Sequence, residues 1–501
     1  MKKRLNKFLG LTLACTLLMS LFAGCQQQKE EQTVFLPDYS TTEETLDFFA
    51  YRPLSNGTYY IDNVEYTTGD LRTEENYQIF KDAGFTMSYV SAYAGTTWES
   101  SDTKKEMDML AGVGIDKVIF ADIRLNKVDN METVEEAVPY VKECLATYID
   151  EPNFYGLSLG DEPAYTSAED YGRKYKAVKQ AAAELGKENI YIHVNFLPID
   201  AGACNEGKYA PISEYESFTD AYEFYIESFL KAMEPDRISV DIYFFRGSGL
   251  YPGTYANLQI LTRLCKEYNT KLTFCLQSFD QYSGNNEIYS RVDKSMMRME
   301  LESLLGMGID NFAYFTYRTP NQVTISGNKH FDGSSFITLD GTPTNIYYYG
   351  QALMASAKKF QNVILNYDYQ GCKMYTSSVA NFNNRPYVFS NVEQNKGTSI
   401  SFDNSYEFAL LKDFSFNNDV AFISELKDEK NDLYMYMVQN VVDPRNGKYG
   451  NTEMTVDVNF GAEYKWVAEF DVGELTYVTL NNGAYKKTLS AGCAVYLIPL
   501  K

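Results

Sequence analysis

Histidine and tryptophan are nearly missing from this chain. Its 501 residues hold two of each, and the histidines are His193 and His330. That shortage excludes most zinc sites and multi-histidine catalytic schemes, which need several imidazoles together. Cysteine is sparse as well. None of the eight stands in a CxxC pair, and the wide spacing of Cys144, Cys204, Cys265, Cys275, Cys372 and Cys493 points to buried free thiols rather than a disulfide framework or zinc knot. Basic residues are outnumbered, 45 against 67 acidic, for a formal net charge of −22. Such a surface repels phosphate backbones and anionic headgroups, which excludes nucleic acid as a favoured partner and favours neutral ligands. There is no internal repeat, no low-complexity tract and no Gly-rich phosphate loop after any apolar run. No metal or organic cofactor is implied.

Aromatic residues are plentiful. With 45% hydrophobic residues, Tyr 42 and Phe 31, the chain has ample apolar surface to offset the entropy of ordering. Its length predicts two or three domains. Lys2, Lys3, Arg4 and Lys7 precede an uncharged apolar stretch over 8–24, the pattern of a secretory signal. Leu21-Phe22-Ala23-Gly24-Cys25, followed by a polar run, resembles a bacterial lipobox. That resemblance implies lipidation of Cys25, loss of residues 1–24, a linker over 25–45 and a membrane-anchored position outside the bacterial cytoplasm. Loss of those 24 residues, four basic and none acidic, deepens the net charge to −26.

Between residues 46 and 363, eight apolar runs alternate with helical patterns: 48–51, 85–91, 117–122, 154–159, 190–195, 238–243, 271–277 and 311–316. In one helical pattern Tyr171, Tyr175, Val178, Ala182 and Leu185 recur at steps of four and three, one face of a helix. Continuous rather than alternating apolar strands, each followed by a helix, predict a parallel sheet covered by helices. Eight units predict an α/β fold closed into a (β/α)₈ TIM barrel rather than a doubly wound open sheet. Pro139 predicts a late start or kink in the third helix. A helix over 347–363 leads into 364–501, where short β runs predict an antiparallel β-sandwich, with Asn482-Gly483 as a hairpin turn.

In such a barrel the functional groups follow the carboxyl ends of the strands. Those ends carry Asp122 and Arg124, Asp161 and Glu162, Asn195, Asp241 and Tyr243, Gln277, and Tyr317 and Arg318, while Trp98 follows the second strand. A polar rim with tyrosines and a tryptophan suits a sugar, whose faces stack on rings and whose hydroxyls need polar partners.

Gly160-Asp161-Glu162-Pro163 after the fourth strand resembles the motif of the large clan of retaining glycoside hydrolases with (β/α)₈ barrels, in its β-galactosidase-like branch. Asp340-Gly341-Thr342-Pro343-Thr344 leading into Tyr347-Tyr348-Tyr349 is similar to that clan's passage from the last strand to the closing helix. The resemblance implies glycosidic cleavage with Glu162 as general acid/base. The same precedent places the nucleophile at the end of the seventh strand, where this chain has Gln277, and an amide cannot attack. Asp241 is the best substitute, then Asp122, with Glu287 deeper in a loop. Two readings stay open: a lipid-anchored glycosidase, and a carbohydrate-binding lipoprotein on a degenerate barrel. A solute-binding lipoprotein ranks third. Glu162 as a plain helix cap, Arg124 and Arg318 as ion-pair partners, Trp98 as a gap filler and His193 as a core residue are the bland alternatives.

Overall fold

The computed structural model describes residues 36–40, 44–51, 54–199, 214–215, 217–251, 253–284, 286–332, 335–376, 402–445 and 452–501. The signal segment, Cys25 and Cys204 lie outside the described residues, as does one β run expected over 386–391. Residues 39–501 form one compact unit.

Eight parallel strands make the barrel: β1 (Asp47–Ala50), β2 (Met87–Tyr89), β3 (Lys117–Phe120), β4 (Phe154–Asp161), β5 (Tyr191–Phe196), β6 (Arg237–Val240), β7 (Lys271–Gln277) and β8 (Asn311–Phe315). From β2 to β8 each pairs with its neighbours in chain order, and β8 returns to β1. The seam between β1 and β2 is closed just before β2, where the Thr86 N–H donates to Phe48 O at 2.9 Å and the Phe48 N–H to Thr86 Oγ1 at 2.9 Å. Each strand is followed by its helix: α1 (Glu74–Asp82), α2 (Asp102–Gly112), α3 (Val134–Leu145), α4 (Ala168–Glu184), α5 (Phe218–Met233), α6 (Thr254–Glu267), α7 (Lys294–Gly306) and α8 (Asn345–Ile364). The chain is therefore a (β/α)₈ barrel, as the alternation of runs predicts. Side-chain caps set six helix starts, at Thr73, Ser101, Thr133, Ser217, Asp293 and Thr344.

Pro139 does not delay α3, which begins at Val134 on its Thr133 cap. The proline removes one hydrogen bond near the first turn, and burial of Ala137, Val138, Val141, Cys144 and Leu145 offsets the loss. The barrel interior is unusually aromatic: Phe49, Met87, Ile119, Cys275 and Ala313 are enclosed, with Tyr51, Tyr89, Tyr155, Tyr191, Tyr243 and Phe315 against them.

Two small sheets rise from the carboxyl end of the barrel. One combines Thr58–Ile61 and Val64–Thr67 with Gln322–Ile325 and Asn328–Lys329; the other combines Phe245–Arg246 and Gly249–Leu250 with Gln281–Ser283 and Asn286–Tyr289. After α8, a six-stranded and a three-stranded antiparallel sheet enclose a core that includes Ile423, Tyr436, Val456, Phe460 and Leu497. Asn482 and Gly483 both take left-handed φ, 51° and 78°, as the turn requires. The turn closes as expected, Asn481 and Ala484 exchanging backbone hydrogen bonds at 3.0 and 3.3 Å, but the pairing stops at that one bridge. Glu474–Thr479 belongs to the six-stranded sheet and Ala484–Ser490 to the three-stranded one, so the chain crosses between layers there.

The sandwich docks on α7 through polar contacts. Glu302 accepts from the Ala494 N–H at 2.5 Å, Gln439 Nε2 donates to Met299 O at 2.9 Å, and Arg298 reaches Asp471 at 3.1 Å. Gly306 permits the close approach, because a Cβ there would lie 2.3 Å from Met437 Cε.

Candidate active site

The rim is tied together across β4, β5 and β6. Asp161 ends β4, and the next residue, Glu162, holds a left-handed backbone with φ 47°. A non-glycine residue takes that conformation at a cost of about 1–2 kcal/mol. The surrounding bonds enforce it. The Glu162 N–H donates to Asn195 O at 2.8 Å, and Tyr225 donates its hydroxyl to Pro163 O at 2.9 Å. Asn195 in turn donates from Nδ2 to Asp161 at 3.0 Å and accepts from Ser239 Oγ at 3.0 Å. Glu162 is thus aimed by a braced turn rather than by a free loop.

Asp241 follows β6 and belongs to the same group. Its Oδ2 accepts from the Tyr243 hydroxyl at 3.4 Å, and its buried Oδ1 has no hydrogen bond of normal geometry among the described residues. Burial pushes its carboxyl well above the ordinary aspartate range, and the charges of Glu162 and Asp161 push it further, while the Asn195 amide offsets part of the rise. Glu162 and Asp161 thus repel a charge on Asp241, whose buried carboxyl keeps its proton at a pH where isolated carboxyls have lost theirs.

A cleft of about 610 Å³ opens above the ends of β1 to β4 and β8; Tyr51, Tyr89, Ser158, Asp161, Lys174 and Asn321 are among its walls, whereas Glu162 and Asp241 are not. Asp161 lines the cleft, and its charge is felt at Asp241. Tyr51, Tyr89 and Lys174 are cleft residues that strand-end inspection missed. Tyr51 lies one residue past the last strand residue of β1, whereas Lys174 comes from the second turn of α4 and carries no rim signal at all.

Other expected site residues are committed elsewhere. Gln277 is fully buried and donates to Phe245 O and Ser290 O at 3.0 and 2.9 Å while accepting from the Phe245 N–H at 2.9 Å, so its amide braces the loops after β6 and β7 instead of facing a ligand. Tyr317 is enclosed outside the barrel wall by Phe80, Phe85 and Phe336. Trp98 is 7% exposed, packed on Tyr93, Phe120 and Tyr148, with Nε1 bound to Glu151 at 2.7 Å; it fills a gap and offers no stacking face. Asp122 borders the cleft, but Arg124 grips both its oxygens, Tyr148 adds a hydroxyl at 2.9 Å, and Arg124 lies over the Tyr93 ring. That pair is structural. Arg318 borders the cleft with its guanidinium on Leu339 O at 3.1 and 3.2 Å. Glu287 is exposed on the small sheet at Asn286–Tyr289. The structure therefore brings together Asp161, Glu162, Asn195, Asp241 and Tyr243.

No family model and no curated protein matches the chain. Among solved structures it is similar to a glycoside hydrolase family 5 protein from Bacteroides vulgatus, at 12% identity over 91% of this chain and 90% of that one, with a TM-score of 0.46. It is also similar to a GH30 endoxylanase from Clostridium papyrosolvens, at 13% identity over 92% and 98%, TM-score 0.40. An Anoxybacillus α-amylase gives 10% identity over 91% and 98%, TM-score 0.47.

Proposed function

We propose that the protein is a glycoside hydrolase, anchored outside the cytoplasm through Cys25, that cleaves oligosaccharides or glycosides with Glu162 as general acid/base and Asp241 as the partner carboxylate. The observation that carries this reading is the pair of mutually repelling carboxyls at the ends of β4 and β6, on the same end of the barrel as a cleft of sugar size. Glycosidic cleavage develops positive charge at the anomeric carbon while the leaving oxygen gains a proton, so one carboxyl must be protonated and the other ionised, roughly 5–5.5 Å apart for retention. A buried, mutually repelling pair supplies that state near neutral pH. Burial favours the proton on Asp241. A sugar seated against the less buried Glu162 displaces its water and draws the proton back, leaving Asp241 ionised to attack.

The test is a panel of aryl glycosides and oligosaccharides with the wild type, Glu162→Gln and Asp241→Asn. Loss of Asp241 abolishes turnover of every substrate, whereas loss of Glu162 spares glycosides whose leaving group needs no proton. Wild-type turnover that survives both substitutions, or none on any sugar, removes the enzymatic reading. Gln277 favours the second reading, a carbohydrate-binding lipoprotein, because β7 offers no carboxylate to a ligand. Sugar binding without turnover by the wild type selects it.

A further inference from the structure

We propose that Tyr51 is a specificity-determining contact: its phenol oxygen is a fixed hydrogen-bond acceptor for one substrate hydroxyl, and His193 inside the barrel sets that polarity. The inference rests on the carbohydrate reading of the cleft and adds to it a rule for which ligands are accepted.

Tyr51 is held firmly. Its N–H donates to Tyr314 O at 2.9 Å and its carbonyl accepts from the Tyr317 N–H at 3.1 Å, while its ring packs on Phe49, Tyr89 and Phe315. One side of the residue lines the cleft, and its hydroxyl meets His193 Nε2. His193 points inward from β5, 2% exposed, and burial pulls its pKa down to about 3, so the ring is neutral. On its far side Nδ1 lies 3.5 Å from the Tyr191 hydroxyl. Tyr191 reaches Asn311 Oδ1 at 3.3 Å, which also receives Thr273 Oγ1 at 2.8 Å.

The proposed string runs inward from Tyr51. Thr273 donates to Asn311 Oδ1, and Tyr191 gives its single hydroxyl hydrogen to Asn311 Oδ1 or to Thr273 Oγ1 at 3.4 Å, which leaves Tyr191 Oη to accept from His193 Nδ1–H. A neutral imidazole carries one N–H. Nε2 is therefore bare and takes the hydrogen of Tyr51. Nothing remains on Tyr51 to donate. Burial and the neighbouring Cys275, Asp161, Tyr89 and Asp241 all hold the phenol un-ionised, so a substrate hydroxyl that reaches it from the cleft Tyr51 lines meets a neutral acceptor. A sugar hydroxyl satisfies it. A ligand with hydrogen, fluorine or an ether oxygen at that position leaves it unpaired, and a site built around a hydroxyl discriminates strongly against such analogues.

Two measurements test this. Because the chain has only two histidines, ¹⁵N-histidine labelling gives two imidazoles, separated by His330→Gln. The expected spectrum has His193 neutral from pH 8 to 5 with its proton on Nδ1, and Tyr51→Phe shifts its Nε2 signal. A proton on Nε2, or titration of His193 near pH 6.5, overturns the proposal. The second measurement is binding of methyl glycosides and disaccharides of glucose, galactose, mannose and xylose, with their monodeoxy analogues, to Glu162→Gln protein, so that turnover plays no part. Loss of one particular hydroxyl is expected to weaken binding roughly tenfold, and Tyr51→Phe is expected to erase that penalty while leaving the other deoxy penalties intact. Binding in which Tyr51→Phe erases no deoxy penalty overturns the role of Tyr51 and leaves the carbohydrate reading standing. Absence of binding by every sugar overturns both.

Discussion

Glu300→Gln should stabilise the protein progressively as the pH rises. Glu300 lies on α7, fully buried, and both its oxygens face one donor, the Gln277 N–H at 3.0 and 3.2 Å. Burial raises its pKa well above the usual glutamate value, and only that one amide opposes the shift. The folded protein thus keeps a proton that the unfolded chain releases at about pH 4.3. A raised acid contributes its full stability below the unfolded pKa and loses it as the pH climbs toward the folded pKa. Above the unfolded pKa the loss is at most about 1.4 kcal/mol per pH unit, or about 2.7 kcal/mol over two units. Glutamine keeps an acceptor for the Gln277 N–H and has no charge to gain. Its new N–H₂ group adds a penalty of about 1–3 kcal/mol that does not depend on pH. The slope of the difference is therefore the diagnostic, not its absolute level. For a unit of roughly 460 residues, an unfolding entropy of about 2.1 cal/mol/K per residue turns 2.7 kcal/mol into about 3 °C. Calorimetry of the wild type and variant at half-unit pH steps should show the two Tm curves drawing apart in favour of the variant by that amount. Parallel curves would refute the reasoning, since they mean that Glu300 ionises in the fold as it does in the unfolded chain.

Three other outcomes follow from the same contacts. Asp161→Asn removes one of the negative charges that hold the Asp241 carboxyl up; Asp241 must be ionised to attack, so the acid limb of the activity profile should move to lower pH by on the order of one unit, and an unmoved or upward limb contradicts that account. Gly160→Ala would place a Cβ 1.9 Å from the Tyr171 hydroxyl, so it should cost about 1–3 kcal/mol by thermal unfolding, most of it recovered in a Tyr171→Ala background. Arg298→Met leaves Glu302, whose burial lifts its pKa to about 7 even beside that arginine, without a cation. A loss of about 3–5 kcal/mol is expected, widening above pH 7 where the wild-type Glu302 ionises and the variant's does not. A deficit that shrinks with rising pH would contradict it.

The fold was legible because barrel strands are buried on both faces and therefore read as unbroken apolar runs; β7 begins and ends at the residues its run predicts, Lys271 and Gln277. The two small sheets at the rim were not legible. Their strands are two to four residues long and pair across segments as distant as Tyr60 and Gln322, so no local period marks them. The Asn482-Gly483 turn shows the opposite limit. Its backbone was readable from two residues, but whether the flanking strands stay together depends on which sheet each one completes.

For the site, position along a strand was informative and residue type alone was not. Glu162 and Asp241 could be found because each follows an apolar run, and a carboxyl there has only the rim to face. The same rule failed for Gln277 and Tyr317. The loops after β6 and β7 fold back over Gln277 as a paired sheet and use its amide as their brace, while Tyr317 turns outward against Phe80, Phe85 and Phe336. In both cases a non-local contact decides the direction of the side chain. Tyr51 and His193 show why a core histidine is easily set aside: the fifth strand alone gives no sign that its ring meets the first. Closure of the barrel joins them, so a residue read as packing also orients the hydroxyl at the cleft. The acceptor role assigned to Tyr51 thus depends on β1 and β5 facing each other across a closed barrel, a relation no strand carries by itself.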